Sequence, residues 1–122
     1  MSIISEGFIT GGVECIVQWQ DGSRQAETVF DVVSWIRSQF LTLLEASKER
    51  HQAGEKKALS MCVIWIGSDQ VFATLETTLS RFRAYYIHPT YLSQPGFCLD
   101  SSNLDKVCAD VASRALKVIR VD

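Results

Sequence analysis

The chain of 122 residues carries 12 basic and 14 acidic side chains for a net charge of −2, with 47% apolar and 21% charged residues and no block of like charge. This composition fits one soluble globular domain, residues 1–122, large enough to bury a core without metal or disulfide staples, and it excludes extended disorder. It also lacks the basic excess of a dedicated nucleic-acid binder and any apolar run of the roughly 18 residues that cross a bilayer.

The first residues show neither the basic start nor the apolar stretch of a secretion signal, so a cytoplasmic location without membrane attachment is expected. Residues 3–10 read as a short strand that Gly11-Gly12 break. Val13, Cys15, Val17 and Trp19 then alternate with more polar neighbours and run into Asp21-Gly22, the pattern of a β-hairpin closed by a two-residue turn. Such a turn sets Val17 opposite Ala26 and Cys15 opposite Thr28, with the Arg24 stem over Trp19.

Thr28 stands where a helix N-cap is needed, with Asp31 three residues on at the acidic position of a capping box. A helix over 29–53 follows. Val29, Val33, Ile36, Phe40, Leu43 and Leu44 recur at three- and four-residue steps, and Val32 and Trp35 widen the stripe. The polar stretch 45–52 points to solvent-facing last turns, and Gly54 is the stop signal.

Residues 58–66 are almost unbroken apolar, as in a central strand buried on both faces. Beyond residue 69 two readings compete. Phe72, Leu75, Leu79, Phe82 and Tyr86 fit helical spacing, and we read a helix over 70–84. Val71-Phe72, Thr77-Thr78 and Tyr85-Tyr86-Ile87 instead favour strands joined by a hairpin through 76–78. Pro89 and Pro95 make 88–101 largely loop. A last helix begins near Ser102 and Asp105, its stripe made of Leu104, Cys108, Val111, Ala115 and Val118 with Ala109 and Ala112 beside it. The fold class is therefore α+β: an antiparallel sheet of about four or five strands with two main helices on one face, a mixed sheet being the alternative.

Chemistry is sparse. His51 belongs to a solvated helix end and His88 to a turn among tyrosines, and neither has a nucleophile or acid beside it in sequence. Cys15, Cys62, Cys98 and Cys108 form no close pair, so reduced thiols are expected rather than a zinc site. Asp100 and Asp105 match no cation loop, and Gly11-Gly12 and Gly67-Ser68 belong to no phosphate-binding pattern. No catalytic set, metal or cofactor is expected.

Residues 81–88 interleave bases with aromatics, as surfaces that stack nucleobases do, and if the segment is a strand Arg81, Arg83 and Tyr85 share one face. The net charge weighs against nucleic acid. We expect Arg81, Arg83, Tyr85, His88, Tyr91 and Phe97 to form a binding surface. Trp19, Trp35 and Trp65 are expected to meet in one aromatic core. The alternative is a pocket between sheet and helices, lined by Trp19, Trp65, Phe72 and Tyr86, that takes a small apolar or aromatic ligand. The expected function is thus a non-enzymatic module that binds a partner protein or assembles as a homodimer. The alternative is a small-molecule sensor or carrier, with an enzyme behind both. Size alone also suits the inhibitors and immunity proteins of accessory or mobile genes.

Overall fold

A computed structural model describes residues 8–67, 72–85 and 98–119, with side chains over 11–67, 72–85 and 98–116. Along the chain come β1 (Phe8–Trp19), β2 (Arg24–Asp31), α1 (Val32–Gln52), β3 (Ser60–Ile66), β4 (Ala73–Thr77), β5 (Phe82–Tyr85), β6 (Cys98–Ser101) and α2 (Leu104–Ile119). The strands form one sheet in the order β2-β1-β3-β4-β5-β6, and every neighbouring pair is antiparallel. The fold class is α+β, with six strands among the described residues and none of the parallel pairing that a mixed sheet requires.

The glycine pair near the start does not divide two strands. Gly11 and Gly12 take φ of 87° and 79° inside β1, and the pairing with β2 shifts between Phe8 and Val13, so the pair makes an irregularity within one long strand. The hairpin that follows also departs from expectation. Trp19 N–H donates to Ser23 O and Gly22 N–H to Trp19 O, which closes a three-residue loop with Gly22 at φ 90°. Val17 therefore faces Gln25, and Cys15 faces Glu27. A one-residue change of register turns each β2 side chain to the other face of the sheet. Arg24 accordingly lies over Trp65, 4.6 Å from its ring centroid, and not over Trp19.

β2 continues to Asp31, so Val29 is a buried strand residue and α1 starts three residues later than expected. The cap is Asp31 rather than Thr28: its carboxylate accepts from Ser34 N–H at 3.2 Å and from Ser34 Oγ at 2.8 Å. At the other end Gly54 stops the helix as expected. Gly54, at φ 97°, donates to His51 O, and Glu55 N–H reaches back to Arg50 O, so two end carbonyls are satisfied together.

α1 and α2 pack together on one face of the sheet. Ile36, Phe40 and Leu43 of α1 meet Val17, Ile64 and Leu75 of the strands and Val107, Val111 and Ala115 of α2 in one apolar cluster. Each fully buried large side chain of this kind contributes about 1.5–3 kcal/mol. Phe40 meets Phe82 edge to face at 5.6 Å, and Arg37 joins Asp105 across the helix pair at 2.6 Å. Asn103, not Ser102, caps α2 by accepting from Lys106 N–H, and Ala109 is exposed while Val107 and Leu116 are buried.

The helix read over 70–84 is replaced by β4, a tight turn and β5. Phe72, Leu75 and Phe82 are indeed buried, but on a strand pair. β4 lies along β3, satisfying a row of backbone groups that a helix there would leave open at the sheet edge. β6, in turn, makes residues 98–101 strand rather than loop.

The three tryptophans do not meet in one core. Trp19 sits on the helix-covered face beside the main cluster, Trp35 is in α1, and Trp65 projects from the opposite face. That second face carries Met61, Val63 and Trp65 of β3, Thr74 and Glu76 of β4, Arg83 and Tyr85 of β5, and Cys98 and Asp100 of β6.

Candidate functional site

Three consecutive strands place Glu76, Arg83 and Asp100 directly opposite one another. The row alternates in charge. Arg83 Nη1 lies 3.6 Å from Glu76 Oε1, and its Nη2 donates to Asp100 Oδ2 at 3.2 Å. Arg81, at the end of the β4–β5 turn, donates through Nε to Asp100 Oδ1 at 2.8 Å. One row further in, the Tyr85 hydroxyl donates to Glu76 Oε2 at 2.6 Å.

These bonds set the electrostatics. The Arg81 hydrogen bond, with that of Arg83, holds the Asp100 carboxyl below its ordinary range. Its bond to Asp100 and the nearby charge raise the Arg83 guanidinium further. Burial, then the bond to Glu76, pushes the Tyr85 phenol up to about 12. Tyr85 is thus a neutral donor at any physiological pH.

The turn carrying Arg81 is built by threonines. Thr78 N–H donates to Arg81 O, the Thr77 hydroxyl shares its one proton between the carbonyls of Thr78 and Arg81, and Thr78 Oγ1 accepts from the Arg81 amide. Leu79 and Ser80 are left at the tip, with Leu79 41% exposed. Facing the turn is the link from α1 to β3. Arg50 ties that link to the helix by donating to Glu55 Oε2 at 2.7 Å and to the Leu59 carbonyl. Below them, Ser47 of α1 donates to Thr77 O at 3.1 Å, so helix and turn are held at a set spacing.

Between turn and link lies an open cleft of about 530 Å³. Ala58, Leu59 and Leu79 supply its apolar wall; Lys56, Lys57, Arg81 and Arg83 supply four cations against the two carboxylates of Glu76 and Asp100, with His51 at the rim. Neither Lys56 nor Lys57 has an acidic partner among the described residues. Leu59 and Leu79 are two of the four large apolar side chains exposed among the described residues. Such a surface can hold an anionic group and an apolar one side by side.

Of the expected surface, Arg83 and Tyr85 share one face of β5, Arg81 in the adjoining turn reaches Asp100 on that face, and the two arginines line the cleft. His88, Tyr91 and Phe97 lie outside the described residues. As for the expected aromatic pocket, Trp19 and Trp65 project from opposite faces of the sheet and so do not line one cavity; Phe72 is 3% exposed in the core, and Tyr86 lies outside the described residues. Although the strand geometry gives the basic-aromatic run a common face, Asp100 and Glu76 already engage its arginines, so the row offers no continuous track for phosphates. Asp100 and Asp105 are separated, the latter held by Arg37.

The sequence reading passed over Lys56, Lys57, Leu59, Leu79 and the pairing role of Asp100. The available signal was two leucines beside turn residues, but a helix over 70–84 takes Leu79 into its stripe and a strand over 58–66 takes Leu59. The four cysteines are unbridged, with Cys98 exposed and the other three buried. Burial pushes the thiols of Cys15, Cys62 and Cys108 up to about 12. Among the described residues no three His, Cys, Asp or Glu side chains group as metal ligands, and no helix is long and apolar enough to cross a membrane. Comparison of the chain with protein-family models, curated proteins and solved structures finds no match in any of the three.

Proposed function

We propose that the chain is a non-enzymatic binding module whose working surface is the cleft between the β4–β5 turn and the α1–β3 link, and that its partner is a protein. The observation that carries this reading is the pairing of exposed Leu59 and Leu79 with Lys56 and Lys57, which have no acidic partner among the described residues, around one opening. Apolar side chains at the centre of a polar rim are the usual anatomy of a recognition surface. The surrounding turn and link are held by backbone-directed hydrogen bonds, so little ordering is needed on binding.

Photo-crosslinking in the native cell tests the reading. A benzophenone side chain placed at Leu79 is expected to capture a defined partner, and one placed at Leu41, equally exposed on α1 away from the cleft, is not. Equal capture from both positions, or none from Leu79, would sink the proposal. An adduct of twice the chain mass would identify the partner as a second copy. A small ligand is the second reading, favoured by a cleft volume inside the range of about 300–1,000 Å³ common for such sites. A thermal-shift screen with small anionic and apolar compounds separates it, because a ligand of the native state raises Tm.

A further inference from the structure

We infer that Asp100 is a built-in occupant of the cleft, and that the segment bound there is an acidic peptide whose carboxylates compete with Asp100 for Arg81 and Arg83. This rests on the cleft being the docking surface. Asp100 belongs to β6, while both arginines belong to the β4–β5 hairpin, and each of its carboxylate oxygens takes one guanidinium. That is the geometry an incoming carboxylate would adopt, supplied here from within the chain.

The occupancy is partial. Arg81 spends only Nε on Asp100, and its two Nη groups have no acceptor among the described residues, so the fork keeps donors for a second carboxylate. Lys56 and Lys57 line the same cleft without acidic partners among the described residues. Leu59 and Leu79 lie in the lining with these cations. An acidic residue at each end of an apolar one would satisfy all three groups at once. A simple phosphate, and equally a sugar–phosphate backbone, would leave both leucines in water, whereas a peptide can set an apolar side chain on them beside its carboxylates. The chemistry therefore favours acidic peptide over either.

A consequence follows for affinity. With Asp100 in place the cleft has four cations against two carboxylates. Asp100→Asn removes one carboxylate and with it the ion pairs of both guanidinium groups to residue 100, while Arg83 keeps Glu76 and the side chain keeps its size. It should tighten binding of an acidic peptide, whereas a residue that merely positions the arginines would weaken binding when replaced.

NMR titration of the ¹⁵N-labelled chain provides the test, with acetyl-Glu-Leu-Glu-amide as probe and acetyl-Gln-Leu-Gln-amide and inorganic phosphate as controls. The Glu peptide should shift the amides of Lys57, Leu79 and Arg81, with an affinity about three- to tenfold higher for Asp100→Asn and at least about threefold lower for Arg81→Gln, both differences shrinking in about 0.5 M salt. Unchanged dispersion of the remaining amides shows that each variant is folded. Equal shifts with the Gln peptide would overturn the acidic assignment while leaving the cleft as a docking surface. No shift with either peptide would count against both. Phosphate binding as well as the Glu peptide, or weaker peptide binding by Asp100→Asn, would also overturn the inference.

Discussion

Arg24 holds its guanidinium 4.6 Å from the centre of the Trp65 ring, although β1 separates the strands to which the two belong. The contact exists because the three-residue hairpin loop turns Arg24 onto the face that Trp65 shares. Trp65 is 8% exposed, and truncating a buried ring leaves a void as well as losing its transfer energy. Trp65→Ala should cost about 3–5 kcal/mol, and Arg24→Ala, which loses an exposed cation–π contact, about 0.5–1 kcal/mol. Urea midpoints of both variants against the parent decide it. Equal losses would show that the ring depends on its cover more than on its strand neighbours.

Two glycines with positive φ separate backbone strain from steric clash. At Gly54 an added Cβ meets nothing within 4 Å, so Gly54→Ala should cost only the left-handed conformation, about 1–2 kcal/mol. At Gly12 the same Cβ would stand 2.7 Å from Thr28 Cγ2 and 3.0 Å from the Phe30 ring. Gly12→Ala is therefore expected to be the more damaging of the two by thermal unfolding. The reverse order would mean that the edge strand gives way easily.

Tyr85 makes alkaline stability a test of the charged row. The folded chain binds the phenolic proton more tightly than the unfolded one, whose pKa is near 10.0, so this contribution is complete below that pH and is lost as pH rises through about 12. Tyr85→Phe should lower stability by about 1 kcal/mol at neutral pH and flatten the alkaline decline, since its hydrogen bond to Glu76 is then absent throughout. Denaturant midpoints across the alkaline range would contradict this if both chains declined in parallel.

The cysteines should react in two classes. Cys98 is exposed, whereas Cys15, Cys62 and Cys108 are buried and have thiols raised to about 12. Brief treatment of the native chain with iodoacetamide is expected to add one label, at Cys98, and treatment in denaturant four. Labelling of Cys15 or Cys62 at a rate like that of Cys98 would show that β1 and β3 open readily.

Local pattern settled the elements whose signals are local. Within the apolar run of 58–66 lies the central strand Ser60–Ile66, with Ala58 and Leu59 left to the link. The stripe of Ile36, Phe40 and Leu43 reads as a helix and Gly54 as its end, because each signal is written within a few neighbouring residues. Together they determined the α+β class. Tertiary structure decided where local signals were double. Asp21-Gly22 suits a two-residue turn or a three-residue loop, and pairing along β1 selects the latter, reversing the faces of β2. Phe72, Leu75 and Phe82 suit a helix or a strand pair, and the backbone groups along β3 select the strands. Arg81 and Arg83 were legible as a basic surface, but nothing local gathers the residues of the cleft. Its residues come from the end of α1, the link to β3, the β4–β5 turn and β6, and only the antiparallel crossing of those segments places Lys57, Leu79, Arg81 and Asp100 around one opening.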